Sequence, residues 1–360
     1  MGVAAHVFAA SSGGPRGTGG LSKNELTRPE NGIWLCANHS RIVDANRGKK
    51  YPPELLLSYK AQHEAGIARE VQGVAAAGGW FQELRIRNSP IFTRDTTIRL
   101  AKLTLVIGDN GTGKTAFCEW LAGFADIDHI RRWRRPGNPG YPIDVALRYY
   151  GPEGRTLGML IDGDGRVRFS DNGLGAPVSA HPMRILYPRL LNDDRDLNDL
   201  QLIASWLAID EALVMNLCEE IQSPASATVR NIRFQPDEDG VIRIHADVKG
   251  TAPGLALSLL SYGEQQRVFL ELAMTAARAY AKHVPTLLIL EDAVTALDKE
   301  AFKRYAHELA DPNSLFQTIL VLPVLPATDL DVAELEWLGW EIVRTHGRPP
   351  NVVVEQRIRP

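Results

Sequence analysis

Leu105-Val-Ile-Gly-Asp-Asn-Gly-Thr-Gly-Lys-Thr115 decides the fold of this chain. Residues 103–107 are an apolar run that reads as a buried strand, and residues 116–123 continue as a helix. Between them Gly108, Gly113, Lys114 and Thr115 match the spacing Gly-x-x-x-x-Gly-Lys-Ser/Thr of a phosphate loop. The glycines let the backbone N–H groups of Gly108, Asp109, Asn110, Gly111, Thr112 and Gly113 close on a polyphosphate. The helix N-terminus adds a positive dipole end. Lys114 can reach β- and γ-phosphates, and the Thr115 hydroxyl can hold Mg²⁺. A glycine-rich turn is the plain alternative; flanks and spacing together favour the phosphate loop.

Working outward, Leu84-Arg-Ile-Arg and Thr97-Ile-Arg-Leu alternate apolar with polar and read as half-exposed strands ahead of the loop. Behind it, His129-Ile-Arg-Arg-Trp-Arg-Arg135 either grips phosphates with a base stacked on Trp133 or forms an exposed basic turn. Residues 144–150, 156–161 and 166–169 are short strands; Gly163-Asp-Gly and Asp171-Asn-Gly mark hairpins. A small antiparallel sheet is therefore expected after the loop. Residues 200–221 read as mostly helical, and residues 241–247 return to strand.

A second cluster follows. In Leu257-Ser-Leu-Leu-Ser-Tyr-Gly-Glu-Gln-Gln-Arg267, Ser261 and Glu264 have the spacing of a helix capping box. Ser261 and Gly263 at such a helix start also make an anion site. Thr286-Leu-Leu-Ile-Leu-Glu-Asp292 then reads as a buried parallel strand ending in two carboxylates, placed to handle Mg²⁺ and water. Ala293-Val-Thr-Ala-Leu-Asp298 comes directly after it.

These three stretches, in this order, resemble an ABC-type ATPase head of the SMC and RecF branch, over about residues 80–345. Leu260-Ser-Tyr-Gly-Glu264 looks like the signature motif, residues 287–292 like Walker B, and Ala296-Leu-Asp298 like the D-loop. The resemblance implies an α/β P-loop NTPase fold with an antiparallel β-subdomain and a helical subdomain. It implies ATP and Mg²⁺ as ligands, with two nucleotides sandwiched between two heads in a homodimer. Ser261, Gly263, Glu264 and Asp298 of one head would meet the nucleotide held by residues 108–115 of the other. Thr115 and Glu291 would hold Mg²⁺; Lys114 and Asp292 would be catalytic, Asp292 orienting the water. The family's usual order is Asp-Glu, whereas Glu291-Asp292 reverses it. A switch His is expected after residues 318–322, and Pro323 and Val324 stand there. No Q-loop Gln is assigned. Slow hydrolysis is the expectation. The 145 residues between Thr115 and Ser261 carry no sustained heptads, so a long coiled-coil arm is not expected.

Residues 1–65 read as a separate module. Gly2-Val-Ala-Ala-His6, Gly13-Gly-Pro-Arg16, Glu30-Asn-Gly-Ile-Trp-Leu-Cys36 and a helix over residues 52–64 resemble the ββα-metal, or HNH-type, domain. The resemblance implies His6 as the general-base His, Asn31 as the middle Asn, and Cys36 with His39 as half of a structural zinc site. Ala5 and Ser40 stand where that family has metal ligands, so the module reads as degenerate. Two ligands are half of the four that structural zinc takes. A buried cysteine beside a surface histidine is the plain alternative. Arg41, Arg47, Lys49 and Lys50 would supply a binding surface or only a solvated face.

The 360 residues carry a net charge of −3, which argues against a generic polyanion binder, but residues 1–70 are net +3. Three widely spaced cysteines (Cys36, Cys118, Cys218) argue for a reducing compartment. No apolar run reaches the roughly 18 residues of a membrane span, and no secretory signal is legible. A cytoplasmic protein without a membrane partner is the expectation. The expected domains are 1–65, a linker over 66–80, the ATPase over 81–345 and a tail over 346–360. The leading functional expectation is an ATPase that dimerises on ATP and controls DNA or an effector protein, as in phage defence or genome maintenance. The rivals are an ATP-gated nuclease and a scaffold that binds ATP without turnover.

Overall fold

The structure is a computed structural model. It describes residues 2–53, 56–57, 60, 79–135, 142–150, 154–176, 183–188, 198–221, 228–237, 239–291, 297, 299–311, 314–323, 335–336 and 338–356. The chain divides into two compact units, Met1–Ala76 and Ala77–Pro360.

In the first unit, β1 (Gly2–His6) pairs antiparallel with β2 (Gly32–Cys36), and the helix Ala37–Asp44 follows. Alternation puts Ala5 and Ile33 inward, where they pack with Val7, Val43 and Leu56. So small a core needs polar ties. Asn31 is 4 % exposed; its Oδ1 accepts from the Phe8 N–H, and its Nδ2 donates to the carbonyls of Phe8 and Leu26. Arg16 fastens the long loop: its guanidinium donates to the Val7 and Val43 carbonyls at 2.6 and 2.7 Å and pairs with Asp44. Most of the helix expected over residues 52–64 lies outside the described residues.

The second unit opens with β3 (Trp80–Asn88), β4 (Thr96–Arg99) and β5 (Leu103–Gly108). Then come β6 (Ile143–Tyr150), β7 (Gly154–Ile161), β8 (Val167–Asp171), β9 (Leu174–Ala176) and β10 (Arg184–Leu186). After two helices follow β11 (Val229–Pro236), β12 (Ile242–Val248), β13 (Leu255–Ala256), β14 (Thr286–Leu290) and β15 (Gln317–Pro323). Last are β16 (Glu341–His346) and β17 (Val353–Gln356).

The central sheet has the order β10-β14-β15-β5-β16-β17. Its first five strands are parallel, and β17 runs antiparallel to β16. Both faces are covered, which is why β5 and β14 are continuous apolar runs rather than alternating ones. On one face Val106, Ile289 and Val321 pack against Ala116, Phe117 and Trp120 of the helix Lys114–Ala122. On the other, Leu105, Leu288 and Leu290 pack against Phe269 and Ala273 of the helix Tyr262–Ala281.

The antiparallel sheet expected after the loop is six-stranded, in the order β4-β3-β6-β7-β8-β9. It recruits the two strands that precede the loop, and their inward Leu84, Ile86 and Ile98 join the core of the loop helix. The segment read as one helical stretch is two helices, Asp199–Leu207 and Glu211–Ile221, set at 96°. Ala208 takes left-handed φ 51° between them, and Asp210 Oδ1 accepts from the Ala212 N–H to start the second. No single described helix is long and apolar enough to cross a membrane.

The expected tail needs correction. Residues 353–356 form β17, an edge strand on β16, and Val352 is fully buried. Gly347, at φ 91°, turns the chain back so that this strand closes the sheet.

The basic segment is also placed. It is a 3₁₀ helix, Ile127–Arg134, anchored on Glu119, a 2 % exposed acid of the loop helix. Glu119 Oε2 accepts from Arg132 Nε at 2.5 Å and from Trp133 Nε1 at 2.7 Å. Trp133 packs on Trp120 with ring centroids 5.2 Å apart, so its indole belongs to the core rather than to a nucleobase. Glu119→Ala leaves the half-exposed Arg132 and the partly buried Trp133 indole without this acceptor. A loss of about 1 kcal/mol is expected, read from the urea unfolding midpoint.

Candidate nucleotide site

β5 ends at Gly108, where the chain runs against β16. A Cβ on Gly108 would lie 2.0 Å from Thr345 Oγ1 and 2.5 Å from the Thr345 carbonyl, so only glycine fits. Gly113, at φ 82°, is the left-handed N-cap of the loop helix. Thr112 Oγ1 donates to the Asp109 carbonyl at 2.8 Å, and its hydroxyl lies 2.7 Å from that of Thr345. Thr345 is 4 % exposed, so the loop is braced from β16. Asp109, Asn110 and Gly111 are exposed at the loop's outer edge.

Lys114 is 9 % exposed and donates to the carbonyls of Gly108 and Asp109 at 2.7 and 2.8 Å. Burial pushes its ammonium below the ordinary lysine value, while the carboxylates of Glu291 and Asp109 act the other way. The loop thus holds a positive charge at its mouth, beside helical N–H groups.

Glu291 stands at the C-terminal end of β14, with β15 between that strand and β5. The Thr115 hydroxyl donates to Glu291 Oε1, and the Tyr187 hydroxyl donates to Glu291 Oε2. The two residues expected to hold Mg²⁺ are therefore in contact, though 176 positions apart in sequence. A hydroxyl beside a carboxylate is a hard-oxygen set, which suits Mg²⁺. Asp292 and Asp298 lie outside the described residues.

Ser261 is the N-cap of the helix Tyr262–Ala281, closed by a capping box with Glu264. Glu264 Oε2 accepts from both the N–H and the hydroxyl of Ser261 at 2.7 Å, which holds its carboxyl below the usual range. Gln265 Nε2 donates to the carbonyls of Leu257 and Leu260, bracing the preceding turn. Ser261 is exposed, and Gly263 is half-buried in the first turn.

In the first unit, Cys36 Sγ lies 3.1 Å from His39 Nδ1, and both are exposed. Among the described residues no group of three or more His, Cys, Asp or Glu is placed to hold a metal, so this pair does not by itself make a zinc site. His6 is exposed at the end of β1, while the Asn31 side chain is spent on its three backbone bonds.

Two residues escaped the sequence reading. Tyr187 follows β10, a strand of three residues, too short for periodicity to register. Thr345 reaches the loop from 233 positions away. Neither has a local signal; only the apolar run Ile185-Leu-Tyr187 hinted at a further buried strand.

A phosphate loop on the central strand of a parallel sheet, a carboxylate one strand removed and an antiparallel sheet beside it define the P-loop NTPase fold in its ABC-head form. Solved structures share this fold. An SMC head bound to the C-winged helix domain of ScpA matches with TM-score 0.54 at 15% identity, covering 77% of this chain and 97% of that one. A Pyrococcus furiosus Smc head with an extended coiled coil, bound to the C-terminal domain of ScpA, matches with TM-score 0.52 at 14% identity over 78% and 96%. A Pyrococcus yayanosii Smc head with a coiled coil and joint matches with TM-score 0.52 at 10% identity over 78% and 97%. No family model matches the sequence. No curated protein matches it.

Proposed function

We propose that this chain is an Mg²⁺-dependent ABC-type ATPase whose nucleotide sites are completed by a second copy. The contact of Thr115 with Glu291, at the carboxyl edge of the sheet beside Lys114, carries this reading. Loop N–H groups and Lys114 bind the β- and γ-phosphates; Thr115 and Glu291 hold the cation. Mg²⁺ held by Thr115 and Glu291 would supply charge neutralisation at the transferring phosphoryl group. Asp292, next in the chain, orients the attacking water. Its carboxylate is one methylene shorter than a glutamate's, and no histidine lies between Pro323 and His346, so turnover is slow.

The partner is a second head. Ser261 and Gly263 of one copy address the γ-phosphate held by the other, and Asp298 approaches across the same interface. Leu259 and Tyr262, 72 % and 55 % exposed on either side of Ser261, give that contact apolar side chains to bury. The nucleotide state then controls DNA or an effector protein bound to the assembly, the output expected in phage defence or genome maintenance. The first unit, with its basic charge, serves as a binding surface related to HNH domains rather than as a nuclease. Zinc there would need ligands beyond Cys36 and His39.

The test is nucleotide binding, phosphate release and molar mass by light scattering, measured with ATP–Mg²⁺, ADP–Mg²⁺ and no nucleotide. ATP-specific doubling of mass with slow phosphate release is the expected result. Absence of ATP binding overturns the proposal; binding without phosphate release selects the scaffold reading.

A further inference from the structure

We infer that Tyr187 is a positioning residue of the cation site, its phenol fixing the Glu291 carboxylate that Thr115 and Mg²⁺ share. The inference rests on the ATPase reading above and concerns a residue that no sequence motif marks.

β10 and β14 are parallel neighbours, with Ile185 opposite Leu287 and Leu186 opposite Leu288. Alternation puts Ile185, Leu287 and Ile289 on the face covered by the phosphate-loop helix, while Leu186, Leu288 and Leu290 face the other way. Tyr187 and Glu291 continue the first set. By register Tyr187 stands level with Ile289, two residues short of Glu291, or about 6.6 Å along the strand direction. A long side chain is needed to span that gap, and the phenol spans it.

Tyr187 is 3 % exposed. A buried phenol needs a hydrogen-bond partner, and here it donates to Glu291 Oε2. The opposite oxygen accepts from Thr115. With a donor on each oxygen, the plane of the carboxylate is set. The ring itself is stacked at a tilt on His129, centroids 5.5 Å apart, which limits its swing.

The two donors act on different oxygens. The Thr115 hydroxyl can give a lone pair to a cation and keep its one proton for Glu291 Oε1. Tyr187 donates to the other oxygen, Oε2. Together the two keep Glu291 aimed at the cation site. Outer partners of this kind typically change metal affinity by about 10- to 100-fold when removed.

Tyr187→Phe keeps the ring and its packing and deletes the hydroxyl. The measurement is binding of a fluorescent ATP analogue as a function of Mg²⁺ concentration, with binding in EDTA and thermal melting alongside. The half-saturating Mg²⁺ concentration is expected to rise about tenfold, with binding in EDTA unchanged. The same change made in a Glu291→Gln protein is expected to add nothing, because Tyr187 acts only through that carboxylate. An unchanged Mg²⁺ midpoint in a variant that melts like the parent overturns the inference and leaves the ATPase reading standing. An equal shift in the Glu291→Gln background, or weaker binding in EDTA, also overturns it and assigns Tyr187 to packing alone. A parent protein that binds no nucleotide overturns both.

Discussion

Lys114→Met is expected to abolish nucleotide-induced stabilisation while leaving the free protein close to the parent in stability. The two halves have one cause. Lys114 is buried at the loop, and desolvation disfavours its charged form. A lysine whose pKa is lower folded than unfolded binds fewer protons in the native state. Stability therefore rises with pH through that window, and near neutrality the buried ammonium is a net cost. Methionine fills similar space without that cost. It gives up the donated bonds to the Gly108 and Asp109 carbonyls, the first of them buried, and that loss offsets much of the gain. With ATP the balance reverses on the proposed reading, in which the ammonium meets the phosphates. A charge-assisted hydrogen bond lost in a dry site costs about 2–3 kcal/mol, and turnover falls about 10²-fold or more. The check is a thermal melt of both proteins with and without ATP–Mg²⁺, followed by phosphate release. A variant that still gains stability from ATP as the parent does would remove Lys114 from the site.

What the sequence made legible follows a physical rule. Local chemistry could be read: the run into Gly108, the lysine and threonine at the helix start, the apolar strand into Glu291, and the Ser261–Glu264 cap. Each is complete within about a dozen residues. What could not be read is whatever forms when distant strands meet. Tyr187 finds Glu291 across 104 positions, and Thr345 braces Thr112 across 233. The basic stretch around Trp133 shows the same limit from the other side. Its composition allowed a nucleic-acid grip, and Glu119, 14 positions upstream, converts the indole into a core contact.

The tail was misplaced for a related reason. Residues 353–356 are too few to register as a strand alone, and their pairing with β16 depends on a turn at Gly347. The first unit divides in the same way. Asn31 stands out in the sequence only through the resemblance to HNH domains; in the structure it satisfies the backbone of a loop-rich module.

An equal mixture of Lys114→Ala and Ser261→Arg proteins, each inactive alone, is expected to regain about a quarter of parent turnover. The reasoning starts from where the two motifs sit. On the proposed reading residues 108–115 hold phosphates with groups of one copy, whereas Ser261 is exposed at the start of another helix, flanked by the exposed Leu259 and Tyr262. If the signature serves the opposite copy, a mixed dimer has one site with both defects and one with neither. Random pairing makes half the dimers mixed, and half of their sites are intact. If the signature served its own copy, every site would carry one defect and mixing would restore nothing. Ser261→Arg removes an N-cap, worth about 1 kcal/mol, so a melting curve must show that the variant is folded before mixing. If the nucleotide joins the heads as proposed, recovery also needs ATP–Mg²⁺ during mixing. Failure of two folded variants to complement would refute the shared site and leave each phosphate loop to work alone.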